Sequence, residues 1–92
     1  MYLEIISPET TLFRGEITAI SLPGTKGSFQ ILENHAPIVS TLQKGRVTVK
    51  GTIELPKEAH PWFESVSPNE LILSIASGTV EMKDNKIILL SD

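Results

Sequence analysis

The chain has no cysteine, which excludes disulfides, thiolate metal sites and thiol nucleophiles. It has no basic excess: 8 Lys and Arg face 11 Asp and Glu, a formal charge of −3. That balance argues against a nucleic-acid partner, which demands clustered positive charge. No apolar run approaches the roughly 20 residues needed to span a bilayer. Met1-Tyr2-Leu3-Glu4 has neither a basic start nor an apolar stretch, so no secretory signal is visible. These absences predict a soluble chain whose membrane contact, if any, runs through another protein. No window of about 11 residues holds a helical period, so no substantial helix is expected.

What is present is ordinary globular composition, 40% hydrophobic and 21% charged over 92 residues, enough for one modest core. Tyr2 to Ser7 is rich in β-favouring residues and closed by Pro8. Thr10 to Arg14 reads as a second strand, with Gly15-Glu16 as a bend. Glu16 to Leu22 alternates as a strand with two unlike faces. Arg46 to Lys50 alternates most cleanly, Val47 and Val49 inward. Leu71 to Ala76 is almost continuously apolar, as for a strand covered on both faces. Ser77-Gly78 reads as a turn into Thr79–Met82. Lys83-Asp84-Asn85-Lys86 reads as a hairpin loop before a last strand, Ile87 to Leu90, because Asp and Asn tolerate left-handed geometry. Turn signals at this rhythm predict an all-β fold, a flattened β-sandwich of about eight to ten short strands.

Residues 51–69 interrupt the rhythm within this single domain of residues 1–92. They hold Pro56, Pro61 and Pro68, the pair Lys57-Glu58, His60 and the only tryptophan, Trp62, beside Phe63. One reading extends the Val47–Lys50 strand through Ile53 and Leu55 and pairs it with Phe63–Val66 as a protruding hairpin. Trp62 and Phe63 either fold back over an open end of the sandwich, the reading preferred here, or form a contact arm. His60 is most simply a solvated side chain.

Leu22 to Leu42 organises the rest. Pro23-Gly24-Thr25-Lys26-Gly27 is a turn by composition. Ser28 to Leu32 is a short strand with Phe29 and Ile31 alternating. Glu33-Asn34-His35-Ala36-Pro37 is an irregular link that no helix crosses, since Pro37 also holds Ala36 extended. Ile38 to Leu42 is extended again, and Gln43-Lys44-Gly45 turns. The glycine turn is too short and wrongly ordered for a phosphate-binding loop and is better read as a hairpin turn with a solvated lysine. Glu33 and His35 supply too few ligands for a metal site. Ser7, Ser40, Ser74 and Ser77 lack a nucleophile's setting. No catalytic, metal or cofactor site is expected. His35 is either a loop histidine bonded to its own backbone or a partner contact.

From Gly24 to Val47 the order of glycine turn, short apolar strand, His35-Ala36-Pro37 and Lys44-Gly45 resembles the epsilon subunit of F-type rotary ATP synthases (the delta subunit in mitochondria). The likeness extends to Tyr2–Ser7, to Phe13-Arg14-Gly15-Glu16 and to Leu71–Asp92, about four fifths of the chain. The resemblance implies a flattened β-sandwich and a non-catalytic rotor subunit that clamps the gamma subunit to the c ring. It implies a gamma-subunit face at Ser7, His35, Ala36, Pro37, Ile38, Ser40 and Thr41. It implies a c-ring-facing loop at Thr25, Lys26, Gly27 and Ser28, where Lys26 and Ser28 stand in place of the family's common acidic residues. A peripheral position on the cytoplasmic side of the inner membrane, within the ATP synthase, is implied as well. Most bacterial members continue into two C-terminal helices, and none is visible in these residues. The expectation is therefore no direct nucleotide binding and no inhibition by an extending arm. The alternative from another class is a free-standing small-ligand-binding β-domain, for carbohydrate or a metabolite, with Trp62 and Phe63 as its platform.

Overall fold

The computed structural model describes residues 1–53 and 61–92. Leu55, His60 and the Lys57-Glu58 pair lie outside the described residues. The rest forms ten strands: β1 (Tyr2–Ile6), β2 (Thr11–Glu16), β3 (Ala19–Gly24), β4 (Gly27–Leu32), β5 (Ile38–Leu42), β6 (Gly45–Lys50), β7 (Phe63–Ser67), β8 (Glu70–Ile75), β9 (Gly78–Lys83) and β10 (Lys86–Ser91). No α-helix occurs among the described residues. The all-β expectation holds.

The strands form one curled sheet with two halves. The first half runs β2-β1-β10-β9-β5 and the second β4-β3-β6-β8-β7. They join where Gly24 of β3 meets Leu42 of β5. Among the described residues only β1 and β10 pair in parallel, Leu3 beside Ile87 and Ile5 beside Leu89. Alternation then sends one side of each strand between the halves. Leu3, Ile5, Ile20, Leu22, Ile31, Val47, Val49, Val80, Met82, Ile87 and Leu89 are fully buried there. Each such side chain is stabilising by about 1.5–3 kcal/mol relative to exposure. The side opposite the Gly24–Leu42 join closes through Phe13 of β2 and Phe63 of β7, ring centroids 6.3 Å apart and tilted by 54°.

Several local expectations are corrected. Gly15 does not bend the chain: β2 runs through it, pairing Gly15 with Leu3. A side chain there would meet the Phe13 ring at 3.4 Å, an ordinary packing contact. Pro23 and Gly24 belong to β3, and the turn is only Thr25-Lys26. Pro23 is tolerated because pairing of β3 with β6 stops at Ser21, beyond which no ladder bond needs its N–H. Gly78 is likewise the first residue of β9 rather than a turn residue. Strand β8 is not covered on both faces: Leu71, Leu73 and Ile75 are buried, Ile72 is half-buried and Ser74 is exposed. The proposed hairpin of Phe63–Val66 against the Val47–Lys50 strand does not form. Strand β6 has β3 on one edge and β8 on the other, so β7 pairs with the free side of β8. Phe63 packs against the core as preferred, whereas Trp62 is 51% exposed.

Candidate docking surface

The β3–β4 hairpin is set by its glycines. Gly24 and Gly27 face each other across Thr25-Lys26, and Gly27 takes φ of +126°, a region open chiefly to glycine. A Cβ on Gly24 would lie 2.7 Å from the Gly27 carbonyl oxygen and 2.8 Å from the Phe29 ring. The turn therefore stands rigidly at the join of the two halves. The Thr25 N–H donates to the Thr41 carbonyl at 3.1 Å, and the hydroxyls of Thr25 and Thr41 bond at 2.8 Å. A groove of about 570 Å³ runs between this turn and β5, lined by residues 24–29 and 38–41. The structure thus brings Thr25, Lys26, Gly27 and Ser28 together with Ile38, Ser40 and Thr41. Lys26 is the only charged side chain in the lining.

His35, Ala36 and Pro37 sit at the opposite end of β5. There the chain turns through Asn34, whose φ is +61°. The His35 N–H donates to the Leu32 carbonyl at 3.1 Å, and His35 Nδ1 lies 2.7 Å from the Ala36 carbonyl oxygen. The backbone-bonded reading of His35 is therefore the geometry seen, with the ring exposed. The corner is moored to the β9–β10 turn: the Asn34 N–H donates to Asn85 Oδ1, and Asn85 Nδ2 donates to Glu33 Oε2, both at 2.9 Å. Glu33 also pairs with the Met1 ammonium. The hydrogen bond from that ammonium, helped by Asn85, holds the Glu33 carboxyl below its usual value. The same bond to Glu33, against partial desolvation, raises the ammonium above its ordinary value.

Ser7 follows β1 at the other end of the sheet and closes a small loop, its Oγ donating to the Thr10 carbonyl at 3.0 Å. Strand register sets Ile6 beside Leu90, Leu90 beside Thr79 and Thr79 beside Thr41. Ser7 and Thr41 consequently flank one outward row about 14 Å wide, three strand spacings. Ile6 and Ile88 are half-buried on this outer face, and Leu90 and Val39 are 48% and 77% exposed. The sequence reading named none of these four as a site. A signal was present: Ile87 to Leu90 is apolar at every position, so alternation must turn two of its residues outward.

The comparisons decide the family. The model of the ATP synthase Delta/Epsilon chain β-sandwich domain matches residues 1–58. The chain belongs to this family. It is 37% identical to the ATP synthase epsilon chain of Leptospira interrogans over 98% of its length, spanning 59% of that relative. It is 37% identical to the epsilon chain of Caulobacter vibrioides, with 88% of this chain and 94% of the relative covered. A chain of the Tetrahymena thermophila mitochondrial ATP synthase central stalk and c-ring structure has the same fold. The TM-score is 0.72 at 18% identity, covering 99% of this chain and 62% of that one.

Proposed function

We propose that this epsilon-family domain is a non-catalytic rotor part of an ATP synthase, clamping the foot of the gamma subunit to the c ring. Rotation driven by ions would then reach the catalytic subunits, with the domain held peripherally at the cytoplasmic face of the membrane. The observation that carries the reading is the meeting of the Thr25–Ser28 turn with β5 at one groove, beside an apolar outer face. Family membership and the central-stalk title of the Tetrahymena neighbour support it. In this reading the gamma face comprises Ser7, His35–Ile38, Ser40 and Thr41 around Val39, Ile88, Leu90 and Ile6. The tip of the turn at Thr25, Lys26, Gly27 and Ser28 meets the ring, while the inner side of the same turn lines the groove along β5. Torque transfer suits a densely packed sandwich, which opens locally at high cost. A ligand platform on Trp62 and Phe63 is disfavoured because Phe63 turns in onto Phe13 while Trp62 faces out.

The test is size-exclusion chromatography of the chain with the gamma subunit of the same enzyme. Co-elution at micromolar concentration is expected, as for an interface burying about 1,200–2,000 Å²; two separate peaks would refute it. Bulky replacements at Lys26 and Ser28 should leave the domain folded and uncouple proton pumping in the reconstituted enzyme.

A further inference from the structure

Among the described residues, four strands end the two halves of the sheet, and they are not alike. Strand β2 carries Arg14 and Glu16, and its register shifts by one residue at Leu12. Strand β7 carries Glu64, with a register shift at Val66. Charges and bulges of this kind keep an edge from pairing with another chain. Strands β4 and β5 have neither. No residue of Gly27–Leu32 or Ile38–Leu42 is charged, and neither ladder shifts register. Both line the same groove.

The backbone direction can be read at β5. Thr41 gives its carbonyl to Thr25, so its peptide groups point away from β9. Val39, two residues earlier on the same strand, points the same way. Among the described residues β5 pairs on that side only through Leu42 with Gly24. Val39 thus offers both an N–H and a C=O to the groove, and Thr41 an N–H. An uncharged edge without a bulge, its hydrogen-bonding groups turned into a groove, specifies its occupant's chemistry: an extended peptide backbone.

We infer that the groove between the Thr25-Lys26 turn and β5 receives an extended segment of the stalk partner, which adds a strand to β5. The segment carries a carboxylate beside Lys26, the one charge in the lining. This rests on the rotor reading above and deepens it, by naming main-chain pairing as the contact made there. It also accounts for the difference between β5 and the blunted edges β2 and β7.

The experiment uses the chain with the purified gamma subunit. Val39→Pro deletes a donor that the β9 ladder does not use, so the domain should keep its fold while its affinity for gamma falls about tenfold or more, as for a lost interfacial hydrogen bond and a disrupted neighbour. Val39→Ala keeps the N–H and gives up only outward methyl groups, so it should bind at least about threefold tighter than Val39→Pro, and equal affinity of the two variants would also overturn strand addition. Lys26→Glu should weaken binding further at low salt than at high salt. Equal affinity of Val39→Pro and the parent would overturn strand addition. Should Val39→Pro fail to fold, amide exchange at Val39 in the parent complex decides: strong slowing supports the pairing, and an unchanged rate overturns it. A substitution effect on self-association alone would assign the groove to a second copy and overturn the proposal. No complex with the parent chain would remove the rotor reading itself, whereas a complex with Val39 still exchanging freely would remove only the added strand.

Discussion

The closed side of the sandwich and its groove side are built from the same kind of strand, yet they handle their edges in opposite ways. On the closed side, β2 and β7 bring Phe13 and Phe63 together, carry Arg14, Glu16 and Glu64, and each contain a bulge. Arg46 reaches Glu64 at 2.7 Å, and Arg14 reaches Glu4 at 3.2 Å. These exposed pairs contribute little to stability, but they place charge along the edge. On the groove side, β4 and β5 present Gly, Ser, Thr, Gln and aliphatic residues without a charge. The difference teaches that edge chemistry separates the two sides of this domain more sharply than pocket chemistry does.

The comparison is sharpened most strongly by truncating its closed side. Phe13 is 4% exposed, so Phe13→Ala should cost about 3–5 kcal/mol and lower the melting temperature by more than 10 °C, on the order expected for a domain of this size. Denaturant unfolding checks it; a loss below about 1 kcal/mol would mean that the two aromatic rings do not close the sandwich. On the groove side, Gly24→Ala forces its new methyl onto the Gly27 carbonyl and the Phe29 ring. A loss of about 1–3 kcal/mol is expected, as for overpacking, together with displacement of the turn in the nuclear magnetic resonance spectrum. Val39→Lys guards the open edge by the device used at the other edges. Val39 is 77% exposed, so stability should move by less than about 0.5 kcal/mol while gamma binding weakens sharply.

The smallest effect concerns the moored corner. The folded Glu33 carboxyl lies below its unfolded value of 4.5. Its contribution is therefore present above that pH and is lost as pH falls through the depressed folded value. The Met1 ammonium is raised above 8.0, so its contribution is complete below that pH and is lost as pH rises through the raised value. Glu33→Gln should flatten both limbs of a melting-temperature profile. Profiles that superimpose on the parent would show that the corner is held by Asn34 and Asn85 alone.

Much of the fold was legible because the strands obey a two-residue period and their turns use residues with evident backbone roles. Val47 and Val49 were correctly placed inward, and Asp84-Asn85 turns the last hairpin with φ of +52° and +60°. Glycine and proline misled where they sit inside strands instead of turns. Gly15 pairs with Leu3 inside β2, and Pro23 sits in β3 past the end of its ladder with β6. Neither placement can be seen before the partner strand is known. The partner of β7 was misassigned for a related reason, since both edges of β6 were already taken by strands distant in sequence. Of the candidate surface, the turn and β5 were legible as shaped loops around strands. Their junction through Thr25 and Thr41 was not, because it depends on how the sheet curls. Val39 and Leu90 went unnoticed because an apolar strand residue is assigned to a core until its outward register is known.

The central claim is tested most directly by hydrogen exchange along all four edges of the domain, alone and bound to the gamma subunit. The account predicts that binding slows exchange at Val39 and Thr41, while the outward amides of β2 and β7 keep their free rates. Slowing along β2 or β7, with β5 unchanged, would contradict it.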